Sequence, residues 1–422
     1  MVQARRGQHV VVLGAGMVGV SCALSLRQRG LAVTVLDPLG PGAATSHGNA
    51  GVLARSSLMP FNHPHLWSQL PGLLRGQNPG FRYRWPWMLT QWRWGASFLA
   101  HARTSVFEET TTALDALIRH SREVHRRWMA AAGAEHRRRD DGWLFLYRSE
   151  AGFDSGAFGR QTLDRFGVDL QILDASELHD LEPHLQPAFC KAVWVKDASA
   201  VDNPGELVRA YARWLVELGG QVLNQAALKV RVDGPGWSVD TSDGRAIHAD
   251  HVVVALGPWS REFLRKQWGL ALPMGFERGY HRHFQPGKGG GLQRPVYDTA
   301  GGYVLAPMEQ GLRLTTGVEL NDQHAPPHWA QLEAAEVAAR LVMPLGARTA
   351  EADWVGSRPT LPDCRPMVGP CPGRAGTWLA LGHQHIGFST GPATGELLAQ
   401  LMLGETPAVD PNAFRPERFL SA

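Results

Sequence analysis

Cysteine is scarce in this chain of 422 residues. Only Cys22, Cys190, Cys364 and Cys371 are present, with no Cys-x-x-Cys pair and no cysteine–histidine spacing of the zinc-site kind. A disulfide framework and a structural zinc are therefore not expected, and no metal is. The usage fits a reducing compartment, so a cytoplasmic location is the expectation. Lysine is nearly as scarce (Lys191, Lys196, Lys229, Lys266 and Lys288), the remaining basic residues being arginines. Net charge of one sign is also missing: +3 overall, too little to drive binding to nucleic acid. Long apolar runs are absent as well. The run His9–Leu13 follows Arg5 and Arg6, yet it is far too short for a signal segment or a membrane span and leads straight into a glycine loop.

What is present is an ordinary globular composition, 44% hydrophobic and 19% charged, over a length that suits two domains. His9–Leu13 reads as a strand, residues 20–30 as a helix and residues 31–37 as a second strand: a βαβ unit. Residues 58–100 are rich in proline and tryptophan (Trp67, Trp85, Trp87, Trp92, Trp94). Helical spacing runs over 107–132, and 142–147 reads as a strand. Asn203-Pro204 and Gly219-Gly220 bracket a helix within 201–220. Residues 222–232 and 237–241 read as a paired antiparallel ribbon, 251–256 as a buried strand, and 271–317 as an alternating antiparallel sheet. A helix is expected over 328–343, a strand over 378–381 and a C-terminal helix over 395–403, with Gly391-Pro392 as a helix start. The Rossmann-like pieces are scattered, so the fold expected is α/β: a discontinuous Rossmann-type domain over 1–57, 185–270 and 350–422. A substrate domain with a mixed, mainly antiparallel sheet would be inserted as 58–184 and 271–349.

Five ordered motifs carry chemistry. In the first, Gly14-x-Gly16-x-x-Gly19 permits a tight turn, close approach of backbone to a pyrophosphate, and close packing of helix on strand. Met17 and Val18 open the helix, whose N-terminus offers free N–H groups to phosphate. Asp37, 21 residues after Gly16, is placed to accept from a ribose diol. The second, Thr45-Ser46-His47-Gly48-Asn49-Ala50-Gly51, is a small-residue loop able to approach a bulky ring, with Ser46 and Asn49 as donors. The third is a buried strand ending in Gly257-Pro-Trp259. The fourth runs Gly356-Ser-Arg358-Pro-Thr-Leu-Pro-Asp363, and the fifth Gly382-His383-Gln-His385-Ile-Gly387 before the last helix.

In these motifs the chain resembles the D-amino acid oxidase-like superfamily of FAD-dependent oxidoreductases, from His9 to about Met402. Arg82-Tyr-Arg-Trp-Pro-Trp87, Arg278-Gly-Tyr280-His281 and the terminal Gly-His-x-x-x-Gly add a likeness to its D-amino acid dehydrogenases. The resemblance implies FAD as cofactor, and a small amino or imino acid held over the flavin with hydride passing from Cα to N5. Electrons would go on to a quinone or other carrier. It needs a carboxylate-binding arginine, for which Arg358 is the first candidate. Tyr280 follows as a hydroxyl donor, flanked by Arg278 and Arg282; by strand parity these three share a face and His281 points away. Arg55 is a further candidate. His383 and His385 could tune flavin or amine protonation, one of them reading instead as a structural histidine.

Two departures matter. Sarcosine oxidases attach FAD through a cysteine where Gly356 and Ser357 stand here, so non-covalent FAD is expected. Their lysine near the C-terminal flavin loop is replaced by Ile386 or Gly387, which argues against efficient use of oxygen. The alternative reading is an oxygen-using secondary amine oxidase of the sarcosine or glycine oxidase kind. An NAD-dependent dehydrogenase and a non-catalytic flavin-binding subunit are the readings from other classes. The tryptophan-rich stretch reads first as packing and second as peripheral contact with a membrane. Oligomeric state is left open.

Overall fold

A computed structural model describes residues 4–421 of the chain. The N-terminal unit forms as its pattern requires. The strands His9–Leu13 and Ala32–Leu36 run parallel, Val11 opposite Thr34, joined by the helix Met17–Gln28. Four consecutive residues of each strand are buried, as in a sheet covered on both faces. His251–Val254 lies on the other side of the first strand, followed by Thr377–Leu381 in parallel and Met367–Pro370 antiparallel. Gln221–Leu223 closes the opposite edge, making six strands.

The helix Gly387–Leu403 packs on Met17–Gln28 at almost backbone distance. A Cβ at Gly395 would overlap the Ser21 carbonyl oxygen, and one at Gly391 would press on Met17 Cγ. Val20, Leu24, Leu397 and Leu398 are fully buried around this crossing, each burial contributing about 1.5–3 kcal/mol.

A second sheet of eleven strands is organised around the long strand Gly275–Pro286. Along one side of it run Val318–Leu320 and Gly311–Thr316; along the other run Trp354–Thr360 and Leu345–Arg348, all antiparallel. Pairing within this sheet is mixed but mostly antiparallel, as expected.

Several expectations are corrected. Residues 222–232 are not one strand: Gln221–Leu223 joins the parallel sheet, and Ala227–Asp233 pairs with Gly236–Thr241. The domain division shifts too. Lys191–Val195 pairs with Trp143–Tyr147 and Leu170–Asp174 in the large sheet, and Trp354–Thr360 also belongs there. Conversely, Thr104–Ala131 buries Leu117, Val124 and Trp128 in the core of the parallel sheet.

The C-terminal helix begins at Gly387, not at Gly391, and Pro392 lies inside it. A proline there cannot donate to the carbonyl four residues back, that of Phe388. That carbonyl is satisfied instead by His125, whose Nε2 lies 3.0 Å away. With Nε2 donating, Nδ1 is left to accept from the Tyr211 hydroxyl at 3.0 Å. Burial lowers the pKa of His125 to about 4, which keeps the ring neutral for this role.

Candidate active site

The two sheets enclose a cavity of about 1440 Å³. Its floor is the turn Gly14–Val18. Gly14 has φ +103°, and a Cβ there would overlap the Ala255 carbonyl oxygen; one at Gly19 would overlap that of Gly14 itself. The turn can therefore take this shape only with glycine at both places. Asp37 is fixed by two backbone donors, Ala15 N at 2.8 Å and Leu39 N at 2.9 Å. Ser46 Oγ accepts from Met17 N at 3.0 Å, and Asn49 Oδ1 accepts from Gly51 N at 2.7 Å. Both side chains thereby keep their donors free. The helix Met17–Gln28 has no acidic residue in its first turn, so its N-terminus favours an anion.

Of the residues picked for the cofactor, Gly14, Gly16, Met17, Val18, Asp37, Ser46, Asn49, Ala50, Gly257, Trp259, Arg358, His383, His385 and Gly387 line this cavity. Gly19, Gly51 and Gly382 lie behind its wall and shape the backbone. His47 is corrected. Its ring turns toward the large sheet, 5.7 Å from His281, and Nε2 lies 3.1 Å from Glu351 Oε1. Arg313 donates to the His47 and Asn49 carbonyls and to His283 Nε2, the last at 2.9 Å. His47 thus serves to tie the loop 45–51 to the sheet.

The other end of the cavity is built on two paired strands. Glu277 stands opposite Arg358, Gly279 opposite Gly356 and His281 opposite Trp354, so these six share one face. The glycine pair leaves a hollow. Arg358 lies across Gly279, where a Cβ would overlap its guanidinium, and the Trp354 ring fills the space above Gly356 and Gly48. Arg358 Nη1 donates to the Gly317 carbonyl at 3.2 Å. Burial lowers its pKa while Glu277 works against that. His383 Nε2 lies 3.0 Å from Thr394 Oγ1, the structural role expected for one of the two histidines. His385 packs against Phe61 at 4.7 Å, and its Nδ1 is buried without a partner. Burial lowers the pKa of both histidines to about 3, helped for His385 by Arg358.

Three candidates lie outside the cavity. Tyr280 donates to Glu319 and packs edge-on against Trp329. Burial and Glu319 push its pKa up to about 12. Arg278 donates to the Pro326 carbonyl at 3.3 Å and lies 3.6 Å from Glu319. The parity assigned to Arg278, Tyr280 and Arg282 holds, but theirs is the face turned from the cavity. Arg55 is saturated by Asp115 and the carbonyls of Phe166 and Gly167, deep under the helix Thr104–Ala131. Tyr280 and Arg55 are engaged with other protein groups, Arg278 leaves its Nε buried without a partner, and none of the three lines the cavity.

Glu277, by contrast, was not picked out from sequence. Its side chain belongs to the cavity wall and is 2% exposed. Oε1 accepts from Thr360 Oγ1 at 2.8 Å, and Oε2 has no partner. Burial raises its pKa to about 7 against the opposing pull of Thr360 and Arg358. The signal was there to read: an acid two residues before Gly279 and four before His281, on the face opposite Tyr280.

The turn, the acid closing the second strand and the apolar chamber beyond them define a flavin-type dinucleotide oxidoreductase. The chain belongs to the DAO family of FAD-dependent oxidoreductases, whose model matches residues 9–401. It is 30% identical over 421 residues to a D-amino-acid oxidase of Bradyrhizobium diazoefficiens, covering 98% of this chain and 99% of that one. Among solved structures it is similar in fold to glycine oxidase from Geobacillus kaustophilus, with TM-score 0.72 and 22% identity over 97% of this chain and 98% of that one. L-proline dehydrogenase from P. horikoshii gives TM-score 0.71 and 19% identity over 99% and 100%. The cofactor is FAD, and the residues present fit it: a helix start free of acidic side chains, Asp37 closing the second strand, and one cavity that runs from this turn to Arg358.

Proposed function

We propose that this chain dehydrogenates a D-amino acid or a cyclic imino acid, D-proline or a hydroxy-D-proline among them, and passes the electrons to a quinone or another carrier. FAD, when bound, supplies the acceptor for the hydride that leaves Cα. The chain's own residues bind and align. Arg358 receives the carboxylate, its guanidinium held flat over Gly279. Apolar side chains such as Phe145, Tyr297, Val318 and Phe61 surround the remainder and exclude water. The observation that carries this reading is Arg358, a largely buried cation that shares the cavity wall with Glu277 and with apolar side chains. FAD is proposed to be held without a covalent link, since no cysteine lines the cavity.

The test is anaerobic mixing of the purified yellow protein with D- and L-amino acids, D-proline, hydroxyprolines and sarcosine. Bleaching by a D-acid or cyclic imino acid, but not by its L-form, is the expected result. Bleaching by none of them would sink the reading. A second reading, an oxygen-using oxidase of amines, is favoured by the likeness to the Bradyrhizobium D-amino-acid oxidase and to the glycine oxidase. Stoichiometric hydrogen peroxide during turnover in air would establish it.

The acceptor side is proposed to lie at the cavity mouth. The helices Leu66–Leu74, Trp85–Thr90 and Trp92–Ala100 wall the cavity mouth with Leu70, Met88 and Phe98. Their outer surface exposes Trp67, Leu74, Trp85, Leu89 and Trp92. Residues 59–107 contain five arginines and no acidic residue. Such a surface suits peripheral contact with anionic lipid. No helix among the described residues is long and apolar enough to cross a membrane. Co-sedimentation with anionic but not zwitterionic vesicles is the expected result.

A further inference from the structure

We infer that Glu277 accepts the proton of the substrate's ammonium group, delivering a neutral amine for oxidation. The inference rests on the amine oxidation proposed above and adds the group that prepares the nitrogen. A hydride cannot leave the carbon of an alkylammonium until nitrogen has a lone pair to form the double bond. A carboxylate bound at Arg358 brings the nitrogen, one atom from Cα, to Arg358's neighbours. The nearest of these across the strand pair is Glu277. Cross-strand partners on one face hold their Cβ atoms about 4.5–5.5 Å apart, so Glu277 and Arg358 rise from the same part of the cavity wall. Oε1 is held by Thr360, which leaves Oε2 as the oxygen without a partner.

The step balances simply. One N–H bond of the ammonium breaks, its electron pair stays on nitrogen, and an O–H bond forms at Glu277. Loss of hydride from Cα, with two electrons, then oxidises the substrate to a protonated imine and reduces the FAD. The proton on Glu277 returns to solvent as product leaves.

The other ionisable groups facing this position fit the assignment. Arg358 is a cation throughout. His385 is held neutral by burial and by Arg358, with a conjugate acid too strong to keep an amine's proton, and His383 is engaged with Thr394. Cys364 lies beneath, its thiol pushed up by burial and by Glu277 itself. Among these, Glu277 alone titrates near neutrality.

The decisive experiment is the pH dependence of anaerobic bleaching in the holoenzyme, using whichever amino or imino acid bleaches the wild type. It is run on wild type, Glu277→Gln, Glu277→Asp and His385→Gln. In Glu277→Gln the acid limb should move toward about pH 10, the range of a free alkylamine. Its rate near neutrality should fall about 100-fold and recover within a few-fold in alkali. Glu277→Asp and His385→Gln should keep the wild-type limb. Benzoate, a carboxylate without an amine, should perturb the flavin spectrum of Glu277→Gln at the wild-type concentration, showing that Arg358 remains in place. A Glu277→Gln profile that superimposes on wild type overturns the assignment. So does loss of benzoate binding together with rate at every pH, which would make Glu277 a support for Arg358. If no amine bleaches the wild type although benzoate binds, the amine reading itself has failed, independently of any variant.

Discussion

The strand Gly275–Pro286 carries charge on both faces, and the two faces differ in how fully that charge is met. On the outer face Arg282 pairs with Asp353 and Glu336, Tyr280 donates to Glu319, and Arg278 lies by Glu319 with its Nε buried and unpartnered. On the inner face Glu277 leaves Oε2 unpartnered and Arg358 spends one donor on a single carbonyl. Buried polar groups are nearly always satisfied, since an orphan costs about 1–3 kcal/mol. Mostly paired and turned from the cavity, the outer face reads as structure. The inner face holds polar groups in reserve, which is what a site for a zwitterionic ligand requires.

That contrast can be broken at several points. The largest effect is expected for Arg358→Ala, where loss of the carboxylate partner should cut kcat/KM about 1000-fold with an artificial acceptor. The flavin spectrum should persist. On the other face Arg282→Ala leaves Asp353 without its cation while Glu336 keeps Arg340 and Arg348, so chemical denaturation should reveal a loss of about 1–3 kcal/mol, while activity per folded molecule stays within about twofold. Glu277→Gln should do the reverse for stability. Its pKa is raised from 4.5 to about 7, so the wild-type carboxyl's contribution is full below about pH 4.5 and is lost as pH rises through about 7. The glutamine variant should therefore gain on wild type across that window, by at most about 3 kcal/mol. The smallest effect is expected for Tyr280→Phe: a loss of about 1 kcal/mol with KM unchanged. A collapse of activity in Tyr280→Phe or Arg282→Ala would erase the distinction between the faces.

Local pattern carried much of this in the sequence and contact at a distance carried the rest. Gly14, Gly16, Gly19 and Asp37 lie within 24 residues, so the first βαβ unit was legible. The parity of Arg278, Tyr280 and Arg282 was legible too, because strand alternation is a local property. Which face met the cavity was not, since that depends on Trp354–Thr360 lying alongside. Arg55 misled for the same reason: its partner Asp115 comes from a helix sixty residues on. The start of the last helix was hidden because Pro392 normally marks an early turn, and the carbonyl it frees is met by His125 from a remote helix. Lys191–Val195 looks like any short buried strand, and only its pairing assigns it to the large sheet.

The order of strands in the parallel sheet also bears on how the enzyme is made. His9–Leu13 leaves the ribosome first and sits in the middle, but two of its sheet's strands come from 367–381 and the helix covering the glycine turn from 387–403. A nascent chain therefore carries a nucleotide cleft that is open on one side until residues 367–403 have been made. A chain stalled before residue 367 exposes the edge of His251–Val254 as an unpaired strand, a natural target for chaperones and proteases.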